Sequence, residues 1–140
     1  MGVTEYINPK DFKKPVHEVI RELTKGGVDF SFDCVGNVEV LREAFLSTHD
    51  GWGTTVVLGI HSTPTMLPIH PMELFEGRRI VGSVFGDFKG KSQLPLLVEK
   101  CMNGELKLDG FITHELPFSE INKAFQLLSE GKSLRCLLRL

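Results

Sequence analysis

The sequence has little cysteine and no cysteine framework: its 140 residues carry three, Cys34, Cys101 and Cys136, far apart and each among apolar neighbours. An odd, scattered set excludes a disulfide scaffold and predicts reduced, buried thiols in a cytoplasmic protein. No apolar run approaches the roughly 20 residues of a membrane helix, and Met1 opens neither a signal nor a transit peptide. An excess of charge is also missing, since 16 Lys and Arg against 18 Asp and Glu leave a net charge of -2. Such a chain has no field to gather nucleic acid or an anionic membrane, so neither is expected as a partner.

Several chemical signatures are missing as well. There is no G-x-G-x-x-G, no G-x-x-x-x-G-K, no G-x-S-x-G and no C-x-x-C. The histidines, His17, His49, His61, His70 and His114, include no pair at zinc-motif spacing, so neither a metal site nor a catalytic set is expected within the chain. His114, in "ITHELPF", suits a base or, more simply, a strand-end histidine satisfying a hydrogen bond.

What is present is an alternation of helical and extended patterns. Val16, Val19, Ile20 and Leu23 recur at helical spacing until Gly26-Gly27, predicting one amphipathic helix. From Val28 to Val35, Val28, Phe30, Phe32 and Cys34 alternate with Asp29, Ser31 and Asp33, the pattern of a buried strand ending at Gly36. Asn37 is placed to cap a second helix with Val38, Leu41, Phe45 and Thr48 on one face. "TTVVLGI", Thr54 to Ile60, is unbroken by polar alternation, as in a parallel strand covered on both faces. A loop from His61 to Pro68, a short helix at "HPMELF" with Pro71 in its first turn, and a strand at "RIVGSVF" follow. Ser92 opens a helix carrying Leu94, Leu97, Val98 and Cys101, Ser119 caps another carrying Ile121, Ala124, Phe125 and Leu128, and "RCLLRL" closes the chain as a strand.

This alternation predicts an α/β fold with a parallel sheet, whose ligands collect at the carboxyl ends of strands. Two such ends stand out, "CVGN" and "LGIHS", where Gly36 and Gly59 either admit a ligand to the backbone or merely permit turns. Arg135, at the start of the closing strand, calls for an anionic partner, a carboxylate or a phosphate.

"GVTEYINPKDFKKPVHEVIRELTKGGVDFSFDCVGN", "HDGWGTTVVLGI", "HPMELFEGRRIVGSVFGDFKGK", "FITHELPFSEINKAFQLL" and "GKSLRCLLRL", in this order and spacing, resemble the carboxyl-terminal part of zinc-dependent, medium-chain alcohol dehydrogenases, most of all the plant-type alcohol dehydrogenase-like branch. The resemblance implies the carboxyl-terminal half of a Rossmann-like, parallel-sheet NAD-binding domain over 1–84, with a short strand near Tyr6, and the carboxyl-terminal piece of the catalytic domain over 85–140. It further implies that the glycine fingerprint lies upstream, the chain being a fragment of the enzyme.

By that resemblance NAD is the cofactor. Val35 and Asn37 flank its adenine and ribose, Leu58, Gly59 and Ile60 lie against the nicotinamide, and Ser83, Val84 and Phe85 reach the carboxamide, while Arg135 pairs with the pyrophosphate. Ile60 and Val84 border the substrate pocket, and Met72 and Phe75 reach the neighbouring subunit's pocket in a homodimer. His61-Ser62 departs from the proline often seen in the family after the nicotinamide strand. The ligands of the enzyme's zinc belong to the absent part, and the substrate is an alcohol or aldehyde. Two other readings remain: a noncatalytic binding or dimerisation module, and part of a zinc-free medium-chain reductase.

Overall fold

A computed structural model describes residues 2–140; Met1, where the leader expectation falls, lies outside them. The chain divides into two compact units, at Asp87 and Phe88.

The first unit is a parallel three-stranded sheet in the order β1 (Phe30–Asp33), β2 (Thr54–Val57), β3 (Arg79–Gly82). Phe30 pairs with Thr54 and Asp33 with Val57; Thr54 pairs in turn with Arg79 and Val57 with Gly82. Parallel neighbours need crossovers, which α2 (Val38–Leu46) and α3 (Pro71–Phe75) supply, preceded by α1 (Val16–Leu23). Asn37 caps α2 as expected, Oδ1 accepting from the N–H groups of Glu39 at 2.8 Å and Val40 at 3.1 Å. Pro71 starts α3 beneath a capping box in which His70 Nδ1 accepts from Met72 N–H and Glu73 Oε2 from His70 N–H. At the end of α1 the left-handed residue is Lys25, with φ 56°, and Gly26 N–H donates back to Arg21 O at 2.9 Å. The break therefore begins one residue before the predicted glycines.

The core of this unit is small: Val19, Leu41 and Phe45 are buried, together with Thr48, Thr55, Asp33 and Arg78. The sheet meets α2 with its polar residues, Ser31 Oγ donating to Thr55 Oγ1 at 2.9 Å. Phe30 and Phe32 stand on the opposite face, 62% and 60% exposed, beside the exposed Val81. This overturns the buried strand expected over Val28–Val35, because α2 covers the Ser31 and Asp33 side and no other element of this unit covers the aromatic side. For the same reason β2 is central and parallel but not covered on both faces, with Leu58 at its end exposed. Thr48 lies beyond α2, buried and donating to Phe45 O. Residues 2–8 form no strand, so the one expected near Tyr6 is not formed, and Tyr6 is exposed.

At the amino-terminal edge of the sheet, two arginines converge on Asp50. Arg21 Nη2 reaches Asp50 Oδ2 at 2.8 Å, and Arg78 pairs with Oδ1. Both guanidinium groups also donate to the carbonyls of Leu46 and Thr48, which takes up groups that the end of α2 leaves unpaired. Burial, the largest single influence on Asp50, pushes its carboxyl up. The Arg21 hydrogen bond and the charges of Arg78, Arg21 and His49 outweigh it and hold the group below its ordinary range.

The second unit contains α4 (Gly90–Met102), β4 (His114–Pro117), α5 (Ile121–Ser129) and β5 (Cys136–Arg139). Strands β4 and β5 are parallel, His114 beside Cys136 and Pro117 beside Arg139, joined through α5 with Ala124 buried. Ser119 does not cap α5: it lies inside a one-turn 3-10 helix, Phe118–Glu120, that feeds it. Helix α4 starts at Gly90, two residues before the predicted Ser92, and contains Pro95 and no buried residue. Of the cysteines, all free, Cys34 is exposed and Cys101 and Cys136 half-buried, so their expected burial does not hold. No helix of the described residues is long and apolar enough to cross a membrane.

Candidate functional site

Because all three strands of the first sheet run the same way and pair in step, the residues following Asp33, Val57 and Gly82 emerge along one edge. There the turn after β1, Cys34 to Asn37, packs backbone against backbone on the turn after β2, Leu58 to His61. Gly36, with φ 77°, has the Ile60 carbonyl where a side chain would stand, and a Cβ on Gly59 would come within 2.8 Å of Asp33 Oδ2. Both glycines are thus required by a close approach of the two turns to each other.

Asp33 ties these turns. Its main-chain oxygen accepts from Leu58 N–H at 2.9 Å and Gly59 N–H at 2.7 Å. Its Oδ1 accepts from Val35 N–H at 3.1 Å and Gly36 N–H at 3.4 Å. Its Oδ2 lies 3.5 Å from His61 Nε2, and both of these buried atoms lack a hydrogen-bond partner among the described residues.

Around this frame Val35, Asn37, Leu58, Gly59, Ile60, Ser83, Val84 and Phe85 follow the ends of the three strands on the same sheet edge. Val35, Leu58, Ile60, Val84 and Phe85 are exposed. Ser83 is half-buried and donates its N–H to Val57 O at 3.2 Å. Asn37 spends its side-chain oxygen on the α2 amides, so the start of that helix caps itself rather than presenting free donors to a phosphate. Phe85, Gly86 and Asp87 follow one another in the left-handed region, with φ 53°, 63° and 54°, which costs a non-glycine residue about 1–2 kcal/mol. Met72 and Phe75 project from α3, 51% and 81% exposed.

Arg135 belongs to the second unit. It is exposed rather than buried or half-buried, its carbonyl accepts from Thr113 N–H at 3.0 Å, and its guanidinium has no partner among the described residues. An exposed guanidinium keeps its hydration and needs no internal carboxylate. His114 Nδ1 lies 3.1 Å from Thr113 Oγ1, the local hydrogen bond of a strand-end histidine.

Among the described residues no three His, Cys, Asp or Glu side chains converge as metal ligands, and these residues do not fit a zinc. The strand-end edge carries the exposed aliphatic side chains of Val35, Leu58, Ile60 and Val84, while Gly36 and Gly59 are taken up by the contact of the two turns with each other. Grooves of about 350 and 410 Å³ flank α2, among Pro15, Val16 and Val40 and among Val38, Arg42 and Pro68, and neither contains an expected site residue. The sequence reading did not join Asp33 to His61; the available signal for Asp33 was a carboxylate directly before a glycine turn.

Residues 1–103 match the family described as zinc-binding dehydrogenase. The chain is 69% identical over its whole length to alcohol dehydrogenase-like 3 of Arabidopsis thaliana, and 50% identical over 137 residues to alcohol dehydrogenase 1 of Solanum tuberosum. It spans 36% of the length of each of these curated relatives. Among solved structures it resembles an alcohol dehydrogenase zinc-binding domain protein from Burkholderia ambifaria, with TM-score 0.83 and 31% identity over 99% of this chain and 37% of that one. It also resembles benzyl alcohol dehydrogenase from Acinetobacter calcoaceticus, with TM-score 0.80 and 27% identity over 99% of this chain and 38% of that one.

Proposed function

This chain belongs to the zinc-binding dehydrogenase family, and from that premise we propose that it serves as the cofactor-holding, carboxyl-terminal part of a cytoplasmic, NAD-dependent alcohol dehydrogenase. Residues 1–84 are the partial NAD-binding domain and 85–140 the end of the catalytic domain. The observation that carries the reading is the packing of the β1-end and β2-end turns at one edge of a parallel sheet, with Val35, Leu58 and Ile60 exposed beside it. Ligands of open α/β sheets bind there.

When bound, the nicotinamide supplies the hydride acceptor for alcohol oxidation. The residues of this chain hold and orient it. Val35 and Asn37 flank the adenine and its ribose, while Leu58, Gly59 and Ile60 present backbone groups and an aliphatic face to the nicotinamide. Ser83, Val84 and Phe85 offer backbone to the carboxamide, and the uncommitted Arg135 fork suits two pyrophosphate oxygens at once. Ile60 and Val84, with a partner subunit's Met72 and Phe75, border the alcohol and exclude water from it. No step is assigned to zinc on these residues.

The test is to titrate the protein at its full length with NADH by fluorescence and to follow NADH formation from primary alcohols. Micromolar binding together with turnover supports the reading. Binding without turnover points instead to the noncatalytic module, and neither binding nor turnover removes both.

A further inference from the structure

Asp33 is the one fully buried carboxylate among the described residues. Of its three oxygens, the main-chain one holds the turn after β2, Oδ1 holds the turn after β1, and Oδ2 faces His61 Nε2 alone, at 3.5 Å. Buried polar atoms left unpaired are costly, and those that persist call for an explanation. Here acceptor and imidazole nitrogen are orphaned opposite each other, and Gly59 has no side chain to stand against Oδ2. Both atoms are sealed from solvent, so neither is placed to touch a ligand.

We propose that Asp33 and His61 form a buckle: His61 is a positioning residue whose Nε2–H donates to Asp33 Oδ2 and so fixes the Leu58-to-His61 turn against the Cys34-to-Asn37 turn. The buckle is a property of the fold. Its effect on ligand rests on the reading of these turns as the nicotinamide and adenine sides of a cofactor site: it sets the distance between the two ends of the dinucleotide. A single bond made across the two turns orders both at once, because Asp33 already carries hydrogen bonds from each.

The experiment compares His61→Leu and His61→Gln with the wild type at full length. Amide exchange is read at Val35 and Gly36, and affinity is read for NADH and for ADP-ribose, which lacks the nicotinamide. His61→Leu should speed exchange at both amides about tenfold or more. It should weaken NADH about tenfold and ADP-ribose less than about threefold, with His61→Gln, which keeps a side-chain donor, returning each value to within about threefold of wild type. Unchanged exchange and NADH affinity in His61→Leu, or a glutamine no better than leucine, would overturn the buckle. Should the leucine variant not fold, the nitrogen shifts of His61 in the wild type decide, a proton on Nε2 supporting the pair and a bare Nε2 overturning it. A wild type that binds no NADH while exchange responds to His61→Leu would end the cofactor reading and leave the buckle standing.

Discussion

Arg135 holds two separable jobs. Its carbonyl accepts from Thr113 at the mouth of β5, and substitution leaves that bond in place. Its exposed guanidinium is the part that the pyrophosphate reading uses. Arg135→Ala in the full-length protein should therefore keep its unfolding midpoint and weaken NADH about 10-fold or more, the loss of a charge-assisted contact of about 1.5–3 kcal/mol. Fluorescence titration measures it, and an unchanged affinity returns Arg135 to an ordinary surface residue. Among individual residues, those whose role is set by near neighbours in the chain were legible: Asn37 as a cap and Pro71 at a first turn follow from local hydrogen-bond and dihedral preferences. Asp33 was not. Its polar side chain in an alternating strand reads as the solvent side, and only the helix that crosses over β1 turns that side inward. His61 likewise gains meaning only from a residue 28 positions earlier.

Among the elements, the Asp50 clamp joins the loop before β2 to Arg21 on α1 and to Arg78, which leads into β3. Since its carboxyl is held below the ordinary range in the folded protein, the unfolded chain binds the proton more readily. The stability this contributes is complete above the ordinary carboxyl range and drains away as pH falls through and below it. Asp50→Asn should cost on the order of 1 kcal/mol near neutral pH, because Asp50 is partly exposed and screened, and should flatten the acid limb of a denaturant-midpoint series. Strand β3 makes a second case. The N–H groups of Arg79 and Ser83 point to β2, so alternation leaves those of Ile80 and Gly82 on the free edge, where a second copy is expected to pair in the proposed homodimer. A Cβ at Gly82 meets nothing within 4 Å. Gly82→Pro should accordingly preserve the fold and weaken dimerisation at least about tenfold; sedimentation of the full-length proteins decides, and equal assembly would exclude this edge. Periodicity located α1, α2 and the strands β1, β2, β3 and β5, whose patterns survive in any surroundings, but it did not announce β4 (His114–Pro117). It misjudged which face of β1 is covered, since alternation reveals two faces and not the neighbour each one meets.

At the scale of the whole molecule, the chain made by itself should bind no stoichiometric zinc and oxidise no alcohol. Among the described residues no set of ligating side chains converges, and an apolar sheet face stands open beside Phe30 and Phe32. Metal analysis and NADH formation from ethanol and longer primary alcohols check this; one zinc per chain with turnover above background would sink it. Aggregation with retained helix and strand content is the expected behaviour, as for exposed apolar patches in general. The same open face carries a thermal signature. Whatever polypeptide covers Phe30, Phe32 and Val81 does so by removing apolar surface from water, a process driven by entropy near room temperature and accompanied by a drop in heat capacity. Such an attachment loosens on cooling and tightens on moderate warming. Any seam formed on this face should thus weaken on cooling and strengthen on moderate warming, which subunit association or domain stability measured on ice and at room temperature would read.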